Sequence, residues 1–250
     1  MDADDETGDG TTDPSASTDS GEEGSSGGGG ETGSTEDGSS SGGDSSGGST
    51  GSEVECGATL FVNFDGVTLT SGFDDAPSDV SEALAGEFPP YDGPHDPDEV
   101  ISIVAAHLAP FDVCATLHRP ARGPYTMVVV TEPVSEVPVF GISPLDCGND
   151  NPNSVGFVFP DETWDVSARA MANAISGGFG PTIGLGNQDV ADDDLMCRVG
   201  CSIDVDRSFK DECLPLPTTS PRECPRHVRH CPEGEQNSYQ EMLAAFGPAH

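Results

Sequence analysis

Histidine and cysteine are the residues of this chain best suited to bind a transition metal, and one group of them is tightly spaced. Cys224, His227, His230 and Cys231 lie within one eight-residue stretch. Thiolate and imidazole are preferred zinc ligands, so a structural zinc site there is one interpretation. The spacing C-x2-H-x2-H-C is not that of a common finger or ribbon, however, and no second CxxC accompanies it. We therefore favour disulfides and keep zinc as the alternative.

The remaining candidates for chemistry are weaker. His107 follows an apolar helical pattern and is expected to be a satisfied group on the surface or at the edge of the core. Gly-x-Ser-x-Gly occurs within the Gly/Ser-rich segment 1–52 but nowhere in residues 53–250, which argues against an ordinary serine hydrolase. A nucleotide-binding glycine loop over residues 175–187 is also disfavoured, because this stretch lacks GxGxxG and no basic residue lies near it.

That glycine-rich stretch, ISGGFGPTIGLGN over residues 175–187, has a second interpretation. Zinc peptidases use His-Glu-x-x-His-x-x-Gly-x-x-His, in which three imidazoles hold the metal and the glutamate activates a bound water. In this register Gly177, Pro181 and Asn187 stand at the three histidine positions, and Gly178 stands at the glutamate position. Gly177 and Pro181 offer no metal ligand, and Asn187 offers one neutral amide oxygen. Gly178 offers no base.

The framework around these four positions is nevertheless intact. Gly184 stands at the spacer glycine, and Met196 stands where a later Met-turn would lie. On this basis the segment from about residue 58 to about residue 246 resembles bacterial secreted zinc metallopeptidases of the metzincin type. The resemblance is carried by ATLFVNFDG, APFDV, TMVVV, ISGGFGPTIGLGN and DDDLM. It implies an α+β metallopeptidase fold with no catalytic residue, no metal ligand and no cofactor. An accidental register in a plain glycine-rich loop is the alternative.

The elements that would position this stretch can be predicted from periodicity. Strands are expected at 58–64, 112–118, 125–131, 139–142 and 154–159, and residues 71–97 read as a long surface excursion. Helices are expected at 97–109 after Asp96, at about 165–185 with Trp164-Asp165 as the cap, and at 238–246. On the second helix, Ala170, Ala174, Gly177 and Pro181 would face a cleft. Gly and Pro should kink or end this helix near 177–181. The class is α+β with a mixed sheet.

Charge divides the chain into two regions. Residues 1–52 contain 13 of the 45 acidic residues, no Lys or Arg, and otherwise mostly Gly, Ser and Thr. Such a segment cannot bury enough apolar surface to fold, so a disordered acidic tether is expected before a domain over 53–250. The domain itself has 32 acidic and 9 basic side chains. This balance argues against nucleic acid or an anionic membrane as a partner.

All eight cysteines lie in the domain, five of them in the Cys-rich segment 197–231. An even count predicts disulfides in an oxidising, extracellular or cell-envelope compartment. No signal peptide and no membrane span are seen, so we expect the natural start to lie upstream, with a lipid anchor ahead of the tether. Two loops rich in Asp and Asn, 146–153 and 189–194, are read as turns, with calcium binding left open.

Three functions remain after these exclusions. The favoured one is an exported pseudopeptidase that binds a peptide or protein in the former cleft without cutting it. The second is a peptidase with a relocated or partner-completed metal site, and the third is a structural envelope protein. The oligomeric state, the disulfide pairing and the ligand are not fixed by the sequence.

Overall fold

The computed structural model of the protein describes residues 56–132, 140–160, 167–198, 201–217, 224 and 229–250. All of them belong to one compact unit, Ser52–His250. The predicted tether over 1–52, the proposed cap Trp164-Asp165 and His227 lie outside the described residues. None of the helices in the described ranges combines the length and apolarity that crossing a bilayer requires.

The secondary structure is mixed, which confirms the α+β class at this level. In chain order the elements are β1 (Ala58–Asn63), β2 (Val67–Ser71), β3 (Val80–Ser81), β4 (Gly86–Phe88), α1 (Pro97–Leu108), β5 (Val113–Thr116), β6 (Thr126–Val130), β7 (Gly141–Ile142), β8 (Val155–Val158), α2 (Ala168–Phe179), β9 (Leu214–Pro215), β10 (Glu235–Gln236) and α3 (Ser238–Phe246).

The central sheet has five strands in the order β5-β1-β6-β8-β7. The first four are parallel, whereas β7 runs antiparallel to β8 with Gly141 opposite Val158. Strands β6 and β8 are buried at every position, as expected of parallel strands covered on both faces. The mixed sheet is therefore confirmed.

The two faces of this sheet are covered by different layers. On one face Leu60, Val62, Val128, Val130 and Val158 pack with α1 and α2 in the main core. On the other face the alternate residues pack with β2 and β4 of a small sheet ordered β3-β2-β4. Each strand thus divides its side chains between two cores, which follows from the two-residue period of a strand.

The segment 71–97 is not the surface excursion that its Pro, Gly and Asp content predicts. It contains β3 and β4, and Phe88 of β4 is buried with its ring centroid 5.1 Å from that of Phe157 on the central sheet. Ala76 is likewise buried, and its carbonyl accepts a hydrogen bond from Tyr125. The prediction was wrong because two very short strands leave little periodic pattern.

Helix α1 begins as predicted, with the Asp96 side chain accepting a hydrogen bond from the Asp98 N–H. Helix α2 differs from its predicted span, because it begins at Ala168 and is capped by the Ser167 hydroxyl. It ends at Phe179, and a 3-10 turn then runs over Gly180–Ile183. The early end at the Gly and Pro residues is confirmed. Helix α3 matches its predicted bounds.

Four disulfides are present: Cys56–Cys114, Cys147–Cys224, Cys197–Cys201 and Cys213–Cys231. The prediction of disulfides is confirmed, and the alternative zinc site is wrong because Cys224 and Cys231 are bonded to other cysteines. In a chain-entropy description, closing 58 or 77 residues stabilises the fold by about 4 kcal/mol, and closing the four-residue separation by about 2 kcal/mol.

Gly184 provides a test of how the chain leaves α2. Its φ of 87° lies in the left-handed region and ends the 3-10 turn. We expect Gly184→Ala to lower the free energy of unfolding by about 1–2 kcal/mol, because a Cβ is disfavoured in this conformation. Gly184→Asn should cost less, since Asn tolerates it. Urea unfolding followed by circular dichroism checks this, and equal stability of all three proteins would contradict it.

Candidate functional site

The positions that would hold zinc lie at the end of α2 and just after it. Gly177 and Gly178 are in its last turn, Pro181 is in the 3-10 turn, and all three are buried. The sequence prediction that this side of the helix faces a cleft is wrong for most of its length. Ala170, Gly177 and Pro181 are buried and Ala174 is half-buried, so the helix is packed on both sides.

The turn at Leu195–Met196 fills the space beside Gly177. A Cβ built on Gly177 would lie 2.6 Å from the Leu195 carbonyl oxygen, closer than real Cβ contacts come. One helical turn on, a Cβ on Gly180 would collide with Met196 Sδ. Met196 itself is fully buried, beneath the end of the helix. The first histidine of a zinc motif therefore has neither a side chain nor room for one.

Gly178, at the position of the catalytic glutamate, faces a different neighbour. Its Cβ would lie 3.4 Å from Ser143 Oγ, and a Cβ on Gly156 of β8 would lie 2.9 Å from the same atom. Ser143 follows β7 and thus sits between two glycines, one on the helix and one on the sheet. Its Oγ is buried without a hydrogen-bond partner in the described part of the protein. A glutamate at 178 would have to displace this segment.

Of the four motif positions, position 187 is the one whose side chain has an atom that could bind a metal, the amide oxygen of Asn187. Its Oδ1 is buried and has no partner among the described residues. It lies next to the turn, because the neighbouring Gln188 N–H donates to the Met196 carbonyl at 3.0 Å. One neutral amide oxygen does not fit catalytic zinc, which takes three ligands of the imidazole or carboxylate type. The residues present therefore do not fit this metal.

The Leu195–Met196 turn is held by a buried acid, Asp194, whose structural role the sequence did not predict although it lies in the loop 189–194. Asp194 is 1% exposed, and its Oδ1 accepts a hydrogen bond from the Met196 N–H at 2.8 Å. Ser238, the first residue of α3, donates to the same carboxylate at 3.3 Å. Burial raises the pKa of Asp194 to about 6, although these hydrogen bonds oppose the shift. The run DDDLMC, which places an acid directly before apolar residues, was the one signal for it.

Further contacts fix the two ends of this loop. The Gln236 side chain accepts from the Gly186 N–H at 2.6 Å and donates to the Gly186 carbonyl at 3.0 Å. Buried Arg207 donates to the Cys197 carbonyl at 2.7 Å. The turn against Gly177 is therefore part of a rigid, hydrogen-bonded loop, and it cannot move aside without breaking several of these contacts.

Other candidate sites are also accounted for by internal contacts. Asp192, Cys197 and Cys201 are the one group of three possible metal ligands within 4.8 Å in the described ranges, but the two thiols form a disulfide. In the loop 146–153, Asp146 accepts from the Gly148 and Asn151 N–H groups. Those oxygens cap turns, in agreement with the turn interpretation.

His107 of α1 is bonded to α2, as expected of a satisfied group at the core edge. Its Nδ1 lies 2.9 Å from Ser176 Oγ. Burial lowers the pKa of His107 to about 4, so the ring is neutral near pH 7. Although serine and histidine can form a nucleophile and its base, Ser176 is 0% exposed and no substrate can reach it.

The end strand of the sheet, β7, lies beside this region. Its carbonyl at Gly141 accepts a hydrogen bond at 3.2 Å from the Arg198 guanidinium, which projects from the chain just after Met196. The Arg198 N–H donates in turn to the Gln188 carbonyl at 3.1 Å. An exposed arginine therefore connects the loop below α2 to the edge of the sheet.

Comparison of the chain with family models, with curated proteins and with solved structures found no match in any of the three.

The packing at Gly177 predicts opposite effects for two adjacent substitutions. Gly177→Ala should lower the free energy of unfolding by about 1–3 kcal/mol, because its Cβ meets a backbone oxygen that cannot rotate away. Gly178→Ala should leave the free energy of unfolding unchanged or raise it by up to about 1 kcal/mol. Alanine favours helix, and the contact of its Cβ with Ser143 Oγ would be of ordinary length. Urea unfolding of both variants decides the matter. Equal losses would contradict the close approach of Leu195.

Asp194 predicts a pH dependence of stability. Its folded pKa of about 6 exceeds the ordinary 3.8, so the folded state binds the proton more tightly. The free energy of unfolding should therefore fall as pH rises from about 4 to about 6, by at most about 3 kcal/mol. Asp194→Asn should remove this loss and be the more stable protein at pH 7.

Two controls isolate this effect. His107 acts in the opposite direction, because its lowered pKa removes stability as pH falls from about 6.5 to about 4. The difference between wild type and Asp194→Asn, measured by urea unfolding at each pH, cancels that trend. Asp193→Asn is the matched control, since Asp193 is exposed and its hydrogen bond to Lys210 lowers its pKa. A pH-independent difference for Asp194→Asn would contradict the prediction.

Proposed function

We propose that this protein is an exported, non-catalytic domain of the metallopeptidase type that binds an extended peptide without cutting it. One observation carries the first part of this proposal: the Leu195 carbonyl lies where the first zinc ligand would project, 2.6 Å from a Cβ at Gly177. A site that had lost only its ligands would leave space there. Here the Leu195–Met196 turn instead packs directly against the helix at this position, which supports a domain without a metal.

The order of elements supports a metallopeptidase ancestry of the metzincin type. A mixed sheet precedes a helix, the helix ends at the glycine-containing stretch, and Gly184 turns the chain away in the left-handed conformation. The chain then returns to place Met196 beneath the helix end, against Gly180. These are the positions that the register assigns to the spacer glycine and the Met-turn. If the register were accidental, there would be no reason to find both a left-handed Gly184 and Met196 against the end of the helix.

The edge strand β7 is the surface that we assign to the peptide. Among the described residues no strand pairs with its outer side, and an unpaired edge can accept an extended peptide through backbone hydrogen bonds. It adjoins the end of α2, because Ser143 just beyond it lies 3.4 Å from the position that a Cβ on Gly178 would take. A peptide lying there would run beside the former catalytic position.

The compartment follows from the cysteines. Four disulfides suggest an oxidising, extracellular environment.

Metal analysis and a peptidase assay test the absence of catalysis. We expect the purified full chain, incubated with zinc and desalted, to retain much less than one zinc per chain by elemental analysis. It should also leave fluorescent casein uncut, with or without chelator. One tightly held zinc per chain with chelator-sensitive cleavage would overturn the proposal in favour of a peptidase with a relocated site.

A rebuilt motif tests the register separately. Gly177→His, Gly178→Glu, Pro181→His and Asn187→His together should gain zinc affinity if the frame is inherited. The metal-free variant should also be less stable than wild type, because the imidazole introduced at position 177 must displace the Leu195–Met196 turn. The same variant with Gly177 retained is the matched control. No gain in zinc binding by a folded quadruple variant would count against the register.

Hydrogen exchange tests peptide binding at β7. The probe is a fluorescein-labelled octapeptide of alternating Thr and Val, flanked by lysines, whose binding is measured by fluorescence anisotropy. We expect bound probe to slow amide exchange in residues 140–143 and not in β4, the outer strand of the small sheet. Binding without protection of β7, or no binding at all, would favour another surface or a structural envelope protein.

A further inference from the structure

The outward-facing carbonyl of β7 is already occupied by a side chain from the same protein. Gly141 pairs with Val158 on β8, and its oxygen accepts the Arg198 Nη2 hydrogen bond at 3.2 Å. A peptide strand added at this edge needs that same oxygen as an acceptor. Arg198 and a bound peptide therefore compete for one backbone group.

Arg198 is presented to the edge by a short covalent ring. The disulfide Cys197–Cys201 closes a separation of four residues, and Arg198 lies within it. The ring is anchored at the peptide unit that joins Cys197 to Arg198, because the Cys197 carbonyl accepts from Arg207 and the Arg198 N–H donates to Gln188. These contacts limit the positions that the arginine backbone can take.

The guanidinium itself is less restrained than its backbone. Arg198 as a whole residue is exposed, although partial burial of its guanidinium lowers the pKa of that group. Within the described part of the protein, its side chain donates a hydrogen bond to the Gly141 carbonyl. One net hydrogen bond at an exposed site corresponds to a difference in equilibrium constant of about 3- to 10-fold. A difference of this size favours the state in which Arg198 is bonded to the Gly141 carbonyl. It is also small enough for a bound peptide to reverse.

We propose that Arg198, held by the Cys197–Cys201 ring, is an autoinhibitory cover on the edge of β7 that a peptide must displace. This regulation rests on the proposed function. The cover also affects β7 in the free protein. The cover and the peptide-binding function can therefore be tested separately.

Amide exchange of the free protein tests the cover directly. Because Arg198 binds a carbonyl, it can slow amide exchange only by restraining the local opening of β7. In Arg198→Ala, exchange through such opening in residues 140–143 should be about 3- to 10-fold faster than in wild type, with the global unfolding midpoint unchanged. Cys197→Ser with Cys201→Ser should give the same local increase. Arg122→Ala, which removes an exposed positive charge elsewhere, and Cys213→Ser with Cys231→Ser are the matched controls. Unchanged exchange at 140–143 in Arg198→Ala would overturn the cover.

Peptide affinity tests its role in regulation. With the Thr–Val probe, Arg198→Ala should bind about 3- to 10-fold more tightly than wild type, and Arg122→Ala should match wild type. Faster exchange in Arg198→Ala without a change in affinity would refute autoinhibition. If neither protein binds the probe while exchange at β7 responds to Arg198→Ala, the cover stands and the peptide-binding function fails.

Discussion

The close approach of the Leu195 carbonyl to Gly177 is the constraint on which the rest of this region depends. It requires a residue without a side chain on the helix, and it requires the 194–197 turn to lie firmly below. Buried Asp194, Gln188 and Arg207 hold that turn through backbone hydrogen bonds, and Ser238 extends the network to α3. The glycine at position 177 of α2 is thus explained by packing.

Parts of this arrangement could be predicted from the sequence because they are encoded locally. The apolar run MVVV marks β6, Asp96-Pro97 marks the start of α1, and the Gly and Pro residues after Ile175 mark the end of α2. Gly184 and Met196 could also be singled out, because the register of a known motif assigns them positions. Each of these signals lies within a few residues of the structure it produces.

The remaining features arise from contacts between distant parts of the chain, and a single sequence does not contain them in readable form. The cleft expected beside Gly177 is filled by Leu195, which is 18 residues away, and no periodic pattern reports that contact. The pairing of Cys147 with Cys224 is one of many possibilities that spacing allows. Residues 71–97 were misread because β3 and β4 have two and three residues.

The filled space beside Gly177 also bears on how this lineage can change. If an ancestor held a metal there, restoring the donors one at a time passes through proteins with a crowded helix and no ion to compensate them. Each intermediate would be selected against for its folding alone. Recovery of such chemistry one residue at a time would have to displace the 194–197 turn before an ion could compensate, so the loss would behave as a ratchet.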